Sequence, residues 1–451
     1  MRYHIVGIAG AGMSAIAQLL LDQGHAVSGS DLLANALTAG LAARGAQIWQ
    51  GHDAAYARGA DAVLTTSAAP PNHPELQAAR ALGTPVLKRN DLWREWSRLR
   101  PVIAVAGTHG KTTTTAMIAT VLARAGLNPG FLIGGVAPSL GTNARWGDQR
   151  APLVIEADEY DRAFLALAPS IAVVTNVELD HVDIYPTLDD YRAAFAAFAA
   201  ASPLLIADAD GWPGLRGIAV ARLIPYGPGA TDGWQIGPAR VEHGRTYASL
   251  RYAGDPPLEV GLALRLAGDH NVRNATAAIA VAHALGLNLA EATLALMEFG
   301  GTERRFEIKG EAGGVTVVDD YAHHPTEVRA TLQAARARYG RRRLVAYVQP
   351  HTYSRTRALL GEWPAAFADA DVVLVGDIYG ARERDAGDVS AELLAYRIAE
   401  RHPAVRDVGG LDDATAAVRS LLRPGDVLVT MGAGDGNQVG ERILKELSHD
   451  R

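Results

Sequence analysis

The apolar residues of this chain change period repeatedly, and that alternation restricts its fold more than any other feature. Short β-branched runs such as Val102-Ile-Ala-Val-Ala and Ile171-Ala-Val-Val alternate with Ala- and Leu-rich stretches of 3.6-residue period. Apolar runs followed by amphipathic helices predict α/β domains built on parallel sheets. Three series separate. The first begins at Tyr3-His-Ile-Val-Gly-Ile, carries a helix over 14–23 stopped by Gly24, and includes Ala62-Val-Leu-Thr-Thr before fading in the charged stretch Lys88 to Arg100. The second opens after Pro101 with the strand at Val102 and a helix over 112–124 closed by Gly126. It adds strands at Leu153, Ile171 and Leu204, a Gly- and Pro-rich stretch of small strands and turns over 211–265, and a helix over 270–285. After Gly300-Gly301, strands at Val315, Leu344, Val372 and Val427 alternate with helices near 326–338, 356–368 and 390–401. A prior of ~150 residues per domain gives about three. The breaks predict domains over 1–99, 100–301 and 302–451.

The chain has enough apolar material for three cores, with 48% hydrophobic and 20% charged residues. A net charge of -6 leaves no basic stripe for nucleic acid, so anionic ligands need local sites. There are no cysteines, which excludes disulfides, zinc–thiolate sites and thiol nucleophiles and agrees with a reducing cytoplasm. The uncharged stretch Ile5 to Leu21 follows Arg2 and superficially resembles a signal peptide, but its glycines, then Gln18 and Asp22, read as a strand, a turn and a helix. No other apolar run is long enough to span a membrane.

Ala106-Gly107-Thr108-His109-Gly110-Lys111-Thr112-Thr113 lies between a strand and a helix, where converging backbone N–H groups and the helix dipole make an anion site. Lys111 is positioned for the β- and γ-phosphates of a nucleoside triphosphate, and the Thr112 hydroxyl for Mg²⁺. The strict G-x-x-x-x-G-K-[ST] pattern fails, because Val105 stands at its first position. Hard oxygen ligands are expected at a neighbouring strand end. Glu156 after Leu153-Val-Ile supplies one, with Asp158, Glu159 and Asp161 close behind. His181, again following a strand, is either a second metal ligand or a structural histidine.

Two other regions concentrate polar residues at strand ends. Gly10-Ala11-Gly12-Met13-Ser-Ala15 matches G-x-G-x-x-A, with Asp31 further on, which suits the diphosphate of NAD or of a UDP-sugar equally. His52 and Ser67 are candidates for the same crevice. Near the C-terminal end, Asp319, Asp320, Tyr321, His323 and His324 crowd between a strand and a Pro-started helix, more than helix capping explains. Gln349-Pro-His-Thr-Tyr-Ser-Arg355 repeats the arrangement, and Arg355 suits either a substrate carboxylate or a structural ion pair.

Taken in order, Gly10-Ala-Gly-Met, Gly107-Thr-His-Gly-Lys-Thr-Thr-Thr, Glu156-Ala-Asp-Glu, Asp180-His-Val-Asp-Ile-Tyr, Asp269-His-Asn-Val-Arg-Asn-Ala-Thr, Arg305-Phe-Glu, Asp319-Asp-Tyr-Ala-His-His-Pro-Thr-Glu and Pro350-His-Thr-Tyr-Ser-Arg-Thr resemble the Mur ligases over essentially the whole chain. The resemblance implies three α/β domains: an N-terminal Rossmann-like domain for a UDP-sugar, a central P-loop ATPase-like domain, and a C-terminal Rossmann-like domain that receives the amino acid. It implies an ATP-dependent amide ligase with two Mg²⁺ ions, acting through an acyl phosphate.

By the same resemblance Gly107 to Thr113, Asn271, Asn274, Arg305, Asp320 and Tyr321 serve ATP. Thr112, Glu156 and His181 serve metal, and Gly10 to Met13, Asp31, His52 and Ser67 the UDP-sugar. Lys111, His323 and Arg355 are the expected catalytic residues. Tyr160 and Thr352 depart from the family pattern, where Ser and Arg often stand. No lysine lies between Lys111 and Lys309, so the carbamylated lysine of some later Mur ligases is excluded. That points to the member adding L-alanine to UDP-N-acetylmuramate, as a monomer or homodimer. Rivals are a recycling ligase that adds a tripeptide, an NAD oxidoreductase and a non-enzymatic nucleotide switch.

Overall fold

A computed structural model describes residues 1–66, 69–381 and 383–449. Three sheets follow one another along the chain. The first comprises β1 (Arg2–Val6), β2 (Ala26–Asp31), β3 (Gln47–Gln50), β4 (Ala62–Thr65) and β5 (Val86–Leu87), all parallel in the order β3-β2-β1-β4-β5. The signal-like N-terminal stretch is β1 followed by the helix Ala11–Asp22.

The second sheet holds β6 (Val102–Ala106), β7 (Gly130–Ala137), β8 (Thr142–Arg145), β9 (Leu153–Glu156), β10 (Ile171–Val174), β11 (Leu204–Asp208) and β12 (Arg222–Gly227). Their order is β12-β11-β10-β6-β9-β7-β8, with β6 fully buried in the middle. Burial on both faces is why these strands read as unbroken β-branched runs. Beyond β12 the Gly- and Pro-rich stretch forms β13 (Trp234–Ile236), β14 (Arg240–Glu242), β15 (Arg245–Tyr252) and β16 (Leu258–Leu264), a mainly antiparallel extension.

The third sheet orders β17 (Glu307–Ala312), β18 (Val315–Asp320), β19 (Leu344–Val348), β20 (Val372–Gly376), β21 (Val405–Gly409) and β22 (Val427–Met431) as β17-β18-β22-β19-β20-β21. Only β17 pairs antiparallel.

One stretch that the sequence left unassigned takes a definite form, and one expected helix is corrected. The charged stretch at 88–100 is a helix, Arg89–Leu99, whose Leu92, Trp93 and Trp96 are buried while Arg94 and Glu95 face solvent. Its one apolar stripe packs against the core, and that tertiary contact outweighs a polar composition. The helix expected over 356–368 spans Tyr353–Ala358 and is followed by a separate short turn, Trp363–Ala365, whose Pro364 stands in the first turn, where its missing N–H is tolerated.

Side-chain bonds tie the sheets together. Gln18 donates to Thr142 Oγ1 at 2.8 Å, and the Trp146 N–H to Asp22 Oδ2 at 2.8 Å. No helix among the described residues is long and apolar enough to cross a membrane.

Candidate active site

The phosphate loop joins β6 to the helix Lys111–Arg124, and its shape depends on two glycines. Gly107 has φ +140° and Gly110 φ +81°, conformations that L side chains rarely adopt. A Cβ on Gly107 would collide with the Thr175 hydroxyl, and one on Gly110 would lie 2.6 Å from Asn274 Oδ1. The turn therefore fits directly against β10 and the helix Asp269–Ala284. Lys111 Nζ donates to Gly107 O at 2.5 Å, Thr108 O at 3.0 Å and Glu159 Oε1 at 2.9 Å. Burial lowers the Lys111 pKa, but Glu159 and Asp158 outweigh it and hold the ammonium above its ordinary value.

Two oxygen-rich positions flank the lysine. Thr112 Oγ1 donates to Glu156 Oε1 at 2.9 Å, and the Gly134 N–H to Glu156 Oε2 at 2.6 Å. Glu159 is fully buried, and its Oε2 has no hydrogen-bond partner among the described residues. Its Oε1 lies 3.4 Å from His181 Nε2, and Asp158, Glu159 and His181 cluster closely enough to hold one ion. A buried carboxylate oxygen without a donor is costly unless something positive meets it. The donor sets, hydroxyl and carboxylate at one position and carboxylates with imidazole at the other, fit divalent cations.

A cavity of about 320 Å³ opens behind the loop, lined by His109, Gly110, Thr113, Asn271, Asn274, Arg305 and Asp320 among others. Asp320 accepts backbone N–H bonds from Phe306 and Ala322, both at 2.8 Å, and burial pushes its pKa up to about 6. Its carboxylate therefore shapes the cavity wall. At the rim His109 bridges two sheets, with Nδ1 2.9 Å from Glu327 and Nε2 3.1 Å from Glu178. Burial lowers the His109 pKa, but Glu327 and Glu178 overcome this and raise it to about 9. Thr326 Oγ1 donates to Glu178 at 2.7 Å beside it.

On the other side of Lys111 a crevice of about 840 Å³ is lined by Gly10, Ala11, Gly12, Met13, Asp31, His52, Arg89, Lys111, Glu156 and Tyr321. The helix Ala11–Asp22 has no side-chain cap at Gly10, so its first N–H groups are available to an anion. Asp31 accepts from the N–H groups of Ala9 at 2.9 Å and Leu32 at 2.8 Å, which makes it first a brace for the glycine turn.

A third cavity, about 380 Å³, lies between Tyr160, Asp180, His181, His351, Thr352, Arg355 and Glu383. Arg355 forms a forked pair with Asp180, Nε to Oδ1 at 2.9 Å and Nη2 to Oδ2 at 3.2 Å, and Nη1 lies 3.0 Å from His351 Nδ1. Burial opposes ionisation of Asp180, but His181 and Arg355 outweigh it and hold the carboxyl far below its ordinary range. His323 stands apart from this cavity, with Nδ1 2.9 Å from Tyr321 O and its ring 5.6 Å from that of His351. Burial, opposed by Glu327, lowers its pKa to about 3.

The chain matches three family profiles in succession: "Mur ligase family, catalytic domain" over 2–100, "Mur ligase middle domain" over 105–282, and "Mur ligase, glutamate ligase domain" over 304–434. It is 55% identical to the UDP-N-acetylmuramate–L-alanine ligase of Roseiflexus sp. (strain RS-1), over 99% of both chains. The chain belongs to the Mur ligase family. A Geobacter sp. (strain M21) enzyme of the same name is 43% identical over 99% of this Mur ligase and 97% of its own length. The crystal structure of the Thermotoga maritima UDP-N-acetylmuramate-alanine ligase superposes with a TM-score of 0.85, at 29% identity and full coverage of both chains. The Psychrobacter arcticus murein peptide ligase follows at 0.74, 26% and 99% of each. The three-domain α/β expectation therefore holds for this Mur ligase.

Most site residues expected from sequence converge in it. Lys111 is common ground between the loop and the sugar-side crevice, and Thr112 touches Glu156. Two placements differ from expectation, and Arg355 takes one of the two forms open to it. Tyr321 lines the sugar-side crevice with Lys111 rather than the cavity behind the loop. Arg355 is paired with Asp180. His323 lies outside the Arg355 cavity, with Nδ1 against Tyr321 O, and burial lowers its pKa to about 3, so the ring is neutral near neutral pH and has no proton to give as a general acid. Ser67 lies outside the described residues. Glu159, Glu178, Asp180 and Glu327 did not stand out as partners from sequence, since each is defined by a contact with a distant segment.

Proposed function

We propose that this Mur ligase joins L-alanine to the lactyl carboxylate of UDP-N-acetylmuramate, converting ATP to ADP and phosphate. The observation that carries the reading is the continuity of the crevice from Gly10–Met13 to Lys111 and Glu156, which lets a sugar nucleotide anchored by its diphosphate present a carboxylate at the phosphate loop. The names of its full-length relatives support alanine as the amine.

Backbone N–H groups of Gly107 to Thr113 cradle the ATP phosphates, and Asn271 and Asn274 face adenine in the cavity behind. Lys111 meets the oxygens of the transferring phosphoryl group, where its charge offsets the negative charge gathered between carboxylate and γ-phosphate. Mg²⁺ ions, when bound at Thr112–Glu156 and at Glu159–His181, supply further Lewis-acid stabilisation of that charge. The carboxylate oxygen bonds to γ-phosphorus as the bond to ADP breaks, giving an acyl phosphate. Alanine occupies the Arg355 cavity, with its carboxylate drawn to the guanidinium in competition with Asp180. Its neutral amine attacks the acyl carbon, phosphate leaves with the electron pair of the broken C–O bond, and the proton lost from nitrogen goes to the departing phosphate or to water. The contacts His109–Glu327 and Thr326–Glu178 hold the C-terminal body over the loop and keep water from the acyl phosphate.

Phosphate release with ATP, UDP-N-acetylmuramate and a panel of amines tests the reading. L-Alanine gives the highest kcat/KM, with L-serine and glycine below it. A higher value for the murein tripeptide would transfer the assignment to a recycling ligase.

A further inference from the structure

Glu75 opens the helix Pro74–Ala81, and although an acidic residue in a first turn is ordinary, this one is 0% exposed and turned inward. Its Oε1 accepts from Ser30 Oγ at 2.8 Å and His52 Nδ1 at 3.0 Å. Oε2 meets His4 Nε2 at 2.7 Å and Ser30 Oγ at 2.7 Å. The three partners come from β1, β2 and the segment after β3, so one carboxylate gathers side chains from two strands and a neighbouring loop of the first sheet. Burial opposes its charge, but hydrogen bonds from His4 and Ser30 outweigh that and hold the group as a carboxylate. An apolar side chain would fill the same space without the desolvation cost, so the arrangement points to a use beyond packing.

That use lies at His52. Donating Nδ1–H to Glu75 fixes the ring's orientation and leaves Nε2 as its second polar atom, in a side chain that lines the crevice of Gly10–Met13. His73 stands edge-on to His52, ring centroids 4.4 Å apart, and lines the same crevice. It is 7% exposed, yet neither ring nitrogen has a hydrogen-bond partner among the described residues. Unpartnered buried nitrogens in a cavity wall mark a surface completed by a ligand. His52, His73 and Glu75 also lie within reach of a common ion. The Glu75 oxygens, however, are already engaged by His4, Ser30 and His52, and the His52 nitrogen that faces Glu75 is taken up by that contact.

We propose that Glu75 is a positioning residue for the sugar nucleotide: it holds His52 so that Nε2 meets the diphosphate on the Gly10–Met13 turn, with His73 closing the wall beside it. The inference rests on reading this crevice as the UDP-sugar site.

Steady-state ADP release by the full-length enzyme, with UDP-N-acetylmuramate varied, tests it. Glu75→Gln raises KM for UDP-N-acetylmuramate about tenfold or more, while KM for ATP and kcat stay within about twofold. His52→Ala raises the same KM comparably, and the double variant E75Q/H52A rises no further, because Glu75 acts through His52. If Glu75→Gln does not fold, Glu75→Asp, which keeps the charge but draws it back from His52, carries the same comparison. An unmoved KM, or a Glu75 effect that simply adds to that of His52→Ala, overturns the proposal. Wild-type turnover beside an unmoved KM sinks this inference alone. Failure of the wild type to use UDP-N-acetylmuramate sinks the reading of the crevice and this inference with it.

Discussion

Replacing Lys111 by alanine lowers alanine-dependent phosphate release by on the order of 10³-fold, the scale of losing a charged group that stabilises phosphoryl transfer. The loss falls on kcat, because Lys111 acts where charge gathers in the transition state, while the sugar diphosphate is bound elsewhere in the crevice. Lys88 lines the same crevice, but it sits on the sugar side with its ammonium 3.6 Å from Asp161 and does not replace a cation held on the phosphate loop. The variant also removes the cationic partner of Glu159, whose side chain is fully buried. A lowered melting temperature therefore accompanies the lost activity. Separating the two effects requires Glu159→Gln in the Lys111→Ala background, which recovers stability by relieving an unpaired charge and recovers no turnover. Steady-state kinetics and thermal melts of the two variants measure this, and activity retained in Lys111→Ala would remove the loop from the mechanism.

The second large effect is expected at Arg355. Arg355→Ala leaves Asp180 buried with only His181 beside it, a loss that costs up to about 3–5 kcal/mol where a tightly held pair loses one partner. The side chains of the pair are 11% and 8% exposed, so solvent screens little of this. Arg355→Ala/Asp180→Asn removes the stranded charge and regains most of the stability. Turnover is not regained, and kcat/KM for L-alanine stays down by on the order of 10²-fold, because the guanidinium that draws the amino-acid carboxylate is gone. Denaturant unfolding read beside alanine kinetics distinguishes the two roles. Recovery of both stability and kcat/KM in the double variant would make the arginine purely structural.

The phosphate loop was legible in sequence because its parts are local: a buried strand, two glycines and a lysine at a helix start follow one another within ten residues or so. The same holds for Glu156, which ends a recognisable strand next to the loop. Glu159 was visible only as one member of an acidic cluster. Its importance comes from Lys111 and His181, which the fold brings to it from 48 residues before and from a later strand end. Asp180 and Arg355 lie 175 positions apart, and His109 and Glu327 lie 218 apart. Periodicity carries no information about such pairs, which arise when the third sheet docks on the second. The amphipathic helix Arg89–Leu99 was obscured by its charged residues, and the break after Ala358 by apolar residues that continue helical spacing past Pro364. For Arg89–Leu99, packing decided what composition left ambiguous.

The central claim is that the loop at Gly107–Thr113 activates the carboxylate of the sugar nucleotide. UDP-N-acetylmuramate labelled with ¹⁸O in that carboxylate tests it when the phosphate released with L-alanine is analysed by mass spectrometry. An acyl phosphate requires one carboxylate oxygen to leave with phosphorus, so each released phosphate carries one labelled oxygen. Unlabelled phosphate formed alongside the amide product would contradict the account.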